Sequence, residues 1–247
     1  MNRYFYDLHV HSCLSPCADD DMTVNNIAGM AALKGLQIVA LTDHNSCGNC
    51  RSFYAACKRQ GIIPVAGMEL TTAEEIHMIC LFEDLDRAEA FDEAFRPYRL
   101  PIQNKIEIFG NQFYVDEEDE ITGNEPLLLP PASTLPIEDA YKLARSFDAV
   151  CYPAHVDRPS NGIISILGDL PDTPEFGAIE YSMTADRQDL ESKYPALQSK
   201  RVVTNSDAHH LWDISEPEHS LLLEDEPYSS AYVRSQLFRY LRGESSG

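Results

Sequence analysis

Asp7-Leu8-His9-Val10-His11 is the stretch that decides the fold of this chain. Residues 4–11 are rich in apolar side chains and predict a short strand. Successive side chains on a strand point to opposite faces, so His9 and His11 point the same way and can grip one cation. Two imidazoles leave zinc, iron or manganese with open coordination positions, so more His, Asp or Glu is expected at the ends of other strands.

Outward from this pair the chain alternates. Thr23 is a candidate helix cap, Val24, Ile27, Ala28 and Ala31 recur at helical spacing, and Gly35 stands where a helix stops. Residues 36–41 then read as a buried strand leading into Thr42-Asp43-His44-Asn45. A helix over about 51–60, stopped by Gly61, precedes a third strand, 62–68, that ends at Glu69. Residues 76–82 carry His77 and predict a fourth strand, and 84–96 an acidic helix with Ala88, Phe91 and Phe95 on one stripe. After a helix beginning near Pro136, residues 149–152 lead into Pro153-Ala154-His155, with Arg158 three positions on. A short helix over 163–170, strands at 178–181 and 201–205, a strand-like run at 221–223 and a last helix over about 229–242 complete the pattern. The strand at 201–205 ends in Ser206-Asp207-Ala208-His209. Strand-helix-strand units build parallel sheets whose functional residues gather at the carboxyl ends of the strands. The alternation fails between residues 97 and 136, which hold Asp116-Glu117-Glu118-Asp119-Glu120 and a Gly123-Asn124 turn. This segment is expected to be an excursion, a hairpin plus loops, from one domain spanning 1–247, and its acidic run a solvated turn.

With 247 residues, 44% of them hydrophobic, the chain suits one barrel of alternating strands and helices. Its formal charge of -21, from 40 acidic against 19 basic residues, argues against long nucleic acid unless a local positive field overrides it, and leaves small anions as partners. Seven cysteines, an odd number without framework spacing, suit a reducing compartment. No apolar run has the length of a secretory signal or a membrane span, so a soluble, cytoplasmic protein is expected. Cys13 and Cys17 follow the first strand, and Cys47 and Cys50 the second. Two such pairs on neighbouring strands have the ligand count for a structural zinc, the alternative being four free thiols.

His9, His11, His44, Glu69, His77, His155, Asp207 and His209 all stand at or beside strand ends, and they include six of the eight histidines; His210 and His219 read as surface residues. A lone histidine is ordinarily a core or surface residue. Six gathered at the ends where a barrel converges its loops have no such explanation.

As an ordered set, His9-Val10-His11, Thr42-Asp43-His44-Asn45, Gly67-Met68-Glu69, Ile76-His77, Pro153-Ala154-His155 and Ser206-Asp207-Ala208-His209 resemble the motifs of the PHP (polymerase and histidinol phosphatase) family over residues 5 to about 225. The resemblance implies an α/β fold, a distorted (β/α)7 TIM-like barrel with two or three divalent ions (zinc, manganese or iron) and hydrolysis of phosphoesters. It implies His9, His11, Glu69 and Asp207 as ligands of a first ion, and Glu69, His77 and His155 as those of a second. His44, His209 and an acid from the loop after His11 would hold a third. Relatives place that acid in an Asp-Gly step; here the loop reads Ser15-Pro16-Cys17-Ala18-Asp19-Asp20-Asp21, and counting back from Thr23 favours Asp19, with Asp20 next.

Three divalent ions against Asp19, Glu69 and Asp207 would leave the cleft strongly positive and able to hold a phosphate despite the overall charge. Two ions sharing Glu69 would acidify a water and aim the resulting hydroxide at phosphorus. Arg158 is a candidate for gripping a phosphate oxygen, with a surface ion pair as its alternative, and stands with Asp207 and His209 as a candidate catalytic residue. Asp43 is either an orienter of a ligand imidazole or a cap of backbone amides, and Glu180 ranks below the ligands as a residue lining the cleft. The expected substrate is a small phosphorylated metabolite, a nucleotide or a short oligonucleotide end. The alternatives are an amidohydrolase-like enzyme cleaving amides or esters, and a non-catalytic metal-binding module.

Overall fold

The structure, a computed structural model, describes residues 1–244. Strand β1 (Asn2–Val10), helix α1 (Val24–Lys34), β2 (Ile38–Leu41), α2 (Cys50–Gln60) and β3 (Ile63–Thr71) form two consecutive strand-helix-strand units in which β1, β2 and β3 pair in parallel. β2 and β3 are buried along their whole length, which is why both read as continuous apolar runs and not as alternating ones. α1 buries Val24, Ile27, Ala28 and Ala31, and Gly35 closes it in the left-handed conformation (φ 78°), its N–H donating to the carbonyls of Ala31 and Ala32.

β4 (His77–Phe82) breaks the expected alternation. No helix precedes it; it folds back on β3 as a hairpin, antiparallel, with His77 in register with Thr71. That reversal places the start of β4 at the edge where β3 ends, so His77 and Glu69 share one end of the sheet. After α3 (Leu85–Phe95), residues 97–136 hold a short helix α4 (Ile106–Phe109) and a hairpin of β5 (Phe113–Val115) and β6 (Ile121–Asn124). The acidic run forms the tip of that hairpin, and part of it is structural. The Asp119 carboxylate accepts from the Thr23 hydroxyl (2.7 Å) and the Asn25 N–H (3.1 Å), so it covers the amino terminus of α1 in place of a cap by Thr23 itself.

The remaining elements are α5 (Ile137–Ser146), β7 (Val150–Pro153), α6 (Ile163–Leu167), β8 (Ala178–Ser182), α7 (Arg187–Lys193), β9 (Arg201–Asn205), β10 (Ser220–Leu223) and α8 (Ser230–Leu241). Six strands form a curled sheet in the order β10-β1-β2-β3-β4-β7, and β8 and β9 pair in parallel as a second, two-stranded sheet. β8 packs beside β7 and β9 beside β1, so the second sheet stands in the opening left by the curl of the first. Leu8, Ile38, Val65, Ile79, Tyr152, Ala178 and Val203, one from each strand around this ring, share one interior cluster, against which α8 packs Val233, Leu237, Phe238 and Leu241. The fold is thus an α/β, barrel-like one, but not a strict (β/α)7 alternation: β4 and β10 run antiparallel to their neighbours. Among the described residues no helix is long and apolar enough to cross a membrane.

Candidate metal centre

The ends of β1, β3, β7 and β9 and the start of β4 converge, and six imidazoles meet there around two carboxylates. Glu69 is wholly buried near the end of β3. Its Oε1 lies 3.3 Å from His9 Nε2, 2.6 Å from His77 Nδ1 and 3.2 Å from His155 Nε2, and its Oε2 lies 3.3 Å from His11 Nε2 and 3.0 Å from His44 Nδ1. Asp207 Oδ1 approaches His9 Nε2 and His11 Nε2 at 3.1 and 3.0 Å. The two β1 imidazoles face the same way, as strand alternation requires, with their Nε2 atoms 3.2 Å apart.

Three overlapping groups have their ligand atoms within 4.8 Å of one another: His9, His11, Glu69 and Asp207; His44, Glu69 and His77; and His11, His44 and His209. The first is the set expected for one ion. In the second, His44 stands where His155 was expected, although His155 still reaches Glu69. The third brings His44 and His209 together as expected, but without a carboxylate. Asp19 is elsewhere: its carboxylate meets exposed His210 at 2.7 Å, and Asp20 accepts from Asn111 at 2.8 Å. The cause is local. The Asp19 N–H donates to the His209 carbonyl (3.0 Å), which lays the loop alongside His209 and turns the Asp19 side chain outward.

The donor set fits divalent cations. Glu69 Oε2, His44 Nδ1 and His77 Nδ1 are buried and make no hydrogen bond despite their short separations, an arrangement that costs free energy unless something binds them all. Tautomers point the same way. Glu180 Oε1 accepts from His9 Nδ1 at 2.9 Å, and Ser15 Oγ, whose own proton goes to Asp43 at 2.7 Å, accepts from His11 Nδ1 at 3.0 Å. The carbonyl of Asp207 takes the Nδ1 proton of His209 at 2.8 Å. In the neutral ring each pairing leaves an Nε2 lone pair directed into the cluster, as a ligand imidazole needs.

Burial acts against charge on His9, His11, His44, His77 and His209. At His11 hydrogen bonds to Asp207 and Glu69 outweigh it, and the group is pushed up to about 9; Glu69 does the same for His44, also to about 9. At His209 burial and the neighbouring His11 win, and the group falls to about 3. Burial opposes ionisation of Glu69 and Asp207 as well, but the surrounding imidazoles hold both below the usual carboxylate range. Both therefore stay anionic at neutral pH, the state a cation requires.

Three supporting residues explain the precision of the cluster. Glu180, at the centre of β8, also accepts from Asn205 Nδ2 (2.6 Å) and from the His155 N–H (3.1 Å), so it locks β7, β8 and β9 to His9. Asp43 both caps backbone and orients: it accepts from the Ser12 N–H (2.7 Å) and hydroxyl (2.6 Å) as well as from Ser15. Asp7, to which the sequence assigned no role, holds Ser206 (2.6 Å) and the Ser215 N–H (3.0 Å) and so fixes the turn that presents Asp207. Asp207 and His155 themselves sit at positive φ, 55° and 25°, conformations that L-residues tolerate only when their surroundings dictate them. Glu180→Gln, which keeps the shape but removes the charge that fixes His9, is expected to lower metal affinity or turnover by roughly 10- to 100-fold. Titration of metal-stripped protein with a divalent ion checks this.

Arg158 pairs with Asp207 through Nη1 and keeps 40% of its side chain exposed, at the rim of the cluster. The four loop cysteines do not form the zinc site considered above. Cys47 and Cys50 are buried against the Gly67 carbonyl (3.3 and 3.6 Å), Cys13 turns to the Phe113 carbonyl (3.8 Å), and Cys17 is exposed. Among the described residues none of them belongs to a metal-sized group.

A family model described as PHP domain matches residues 7–194. An error-prone DNA polymerase from Symbiobacterium thermophilum is 36% identical over 77 residues, 31% of this chain and 7% of the polymerase. The lesion-specific endonuclease PfuEndoQ from Pyrococcus furiosus superposes with a TM-score of 0.68 at 19% identity, covering 99% of this chain and 57% of the endonuclease. A protein from Bifidobacterium adolescentis described as a metal-dependent phosphoesterase superposes with a TM-score of 0.60 at 16% identity, covering 95% of this chain and 96% of its own. The last two likenesses are of fold. The chain spans only a small part of the polymerase and little more than half of the endonuclease.

Proposed function

Because the chain belongs to the PHP domain family, whose model covers residues 7–194, we propose that it is a metal-dependent phosphoesterase. The observation that carries this reading is the convergence of six imidazoles on Glu69 and Asp207, with buried donor atoms that no protein group satisfies. His9, His11, Glu69 and Asp207 would hold one divalent ion and His44, Glu69 and His77 a second, with His155 beside Glu69. Bound ions supply Lewis acidity: they polarise a phosphoryl oxygen and lower the pKa of water.

The chain's own groups do the rest. Glu69, common to both sets, fixes the spacing of the two positions. Glu180, Ser15 with Asp43, and the Asp207 carbonyl hold the ring protons of His9, His11 and His209 on the outer side, so those rings enter the cleft as acceptors. Arg158 at the rim presents a planar guanidinium that can leave Asp207 for a phosphate oxygen.

The substrate class is a small phosphorylated metabolite, a nucleotide or an oligonucleotide. The charge of -21 disfavours long nucleic acid, but charge alone does not decide it, since the structurally similar endonuclease Q is described in complex with a 27-mer duplex carrying an abasic lesion at its active site. The test is a panel of phosphomonoesters, phosphodiesters and oligonucleotides with and without an abasic site, run on metal-loaded wild type and His9→Ala. Metal-dependent release by wild type alone is the expected result. Full metal loading with no turnover anywhere on the panel would leave a non-catalytic metal module. On an accepted substrate, Arg158→Ala is expected to lower kcat/KM by about 10- to 100-fold, roughly 1.5–3 kcal/mol for a charged hydrogen bond, and Arg158→Lys to recover only part of it.

A further inference from the structure

A buried amide joins the loop that carries His44 to its surroundings. Asn45 follows His44 directly, is 1% exposed, and engages its whole side chain. Its Oδ1 accepts from the Thr71 N–H at the end of β3 (2.9 Å), and its Nδ2 donates to the carbonyls of Leu129 (2.7 Å) and Pro131 (3.0 Å) in the excursion. One N–H partner and two carbonyl partners fix which way the amide points. The main chain on both sides of His44 is tied to Glu69 as well: the Asn45 N–H donates to the Glu69 carbonyl (2.9 Å), and the Glu69 N–H donates to the Asp43 carbonyl (3.1 Å). Asn45 stands at φ 49°, a left-handed turn that asparagine tolerates better than most residues.

The excursion end of this link is itself held. Gln112, wholly buried, donates to the carbonyls of Glu125 and Leu127 (both 2.8 Å) and accepts from the Leu129 N–H (2.9 Å). Asn49, further along the loop after β2, donates to the Phe113 carbonyl (3.0 Å) and accepts from the Val115 N–H (3.1 Å). The loop bearing His44 is thus clamped between β3 and the excursion. His44 needs that clamp, because His9, Glu69 and His77 stand within strands, whereas β2 ends at Leu41 and only a single bridge to Glu69 continues its ladder to His44.

We propose that Asn45 is a positioning residue for the second metal position: by tying its loop to β3 and to the excursion it holds His44 Nδ1 beside Glu69 Oε2. This rests on the reading of the cluster as a metal centre and adds an asymmetry to it. His44 belongs to the second and third groups but not to the first, which consists of His9, His11, Glu69 and Asp207. The excursion is therefore coupled to ions that use His44 and not to the ion at the first position. Loss of the Asn45 side chain leaves the main-chain bonds to Glu69 in place, so the shared carboxylate is not displaced.

Zinc is the probe. Metal-stripped wild type, Asn45→Gly and Asn45→Asp are titrated with zinc against a chromophoric chelator, with bound metal counted by elemental analysis. Glycine accepts the left-handed turn and removes all the side-chain bonds; aspartate keeps the shape and the bond from Thr71 but sets a carboxylate against two carbonyl oxygens. Both variants should keep one equivalent at wild-type affinity and bind the next more weakly by roughly 10- to 100-fold, the range for groups that orient a metal ligand. In a His44→Ala background, which has already lost that equivalent, Asn45→Gly should change nothing further, because it acts through His44. Zinc binding equal to wild type in both variants, equal weakening of every equivalent, a further loss in the His44→Ala background, or metal-free variants that no longer fold by circular dichroism would each overturn the positioning role while leaving the metal centre standing. No zinc bound by wild type would overturn both.

Discussion

Glu69→Gln is expected to empty the cluster and end turnover. The carboxylate is wholly buried, lies within 3.3 Å of His9, His11, His44, His77 and His155, and belongs to two of the three candidate ligand groups. A glutamine fills the same volume but carries no charge, and its amide nitrogen has no lone pair to offer. Two positions therefore lose their common anion in one substitution. The loss should exceed the roughly 100-fold that follows from removing a supporting contact such as Glu180. Elemental analysis of the purified variant should show loss of bound metal in step with the loss of activity, and Glu69→Asp should restore a fraction of both. Metal content equal to that of wild type in Glu69→Gln would remove Glu69 from its assigned role.

Stripping the metal should destabilise the whole domain. The cluster ties together the ends of β1, β3, β7 and β9 and the start of β4, elements that unfolding separates. A ligand that binds only the folded state adds about 4 kcal/mol when free metal stands a thousandfold above its dissociation constant. For a domain of this size that corresponds to about 10 °C in Tm per ion at that saturation. Calorimetry of chelated protein, then of the same sample with zinc or manganese restored, measures the difference. A Tm unmoved by either treatment would mean that no ion links these strands.

Much of the site was legible before the fold was known. His9 and His11 announce themselves by a spacing that strand geometry alone turns into a shared face, and His44, Glu69, His155, Asp207 and His209 by standing where apolar runs end. His77 lies at the start of β4, not the end, and reaches Glu69 because β4 reverses. A reversal without an intervening helix leaves little trace in periodicity, so a regular seven-fold alternation was expected where the structure has antiparallel neighbours at β4 and β10.

The supporting residues were less visible. Glu180 reads as the end of an ordinary strand, and only the packing of β8 beside β7 and the pairing of β8 with β9 brings its carboxylate to His9 and Asn205. Asp119 sits in a run that composition marks as solvated, yet the hairpin of the excursion folds it onto the start of α1.

The sequence by itself determined which residue types end the strands, and hence that several imidazoles and carboxylates would share one edge of a sheet, because strand alternation and strand-helix return are local rules that need no partner to operate. Only the tertiary structure decided which of them touch. Loop direction set by long-range hydrogen bonds turns Asp19 outward, and spacing along a chain carries no information about which way a loop will turn.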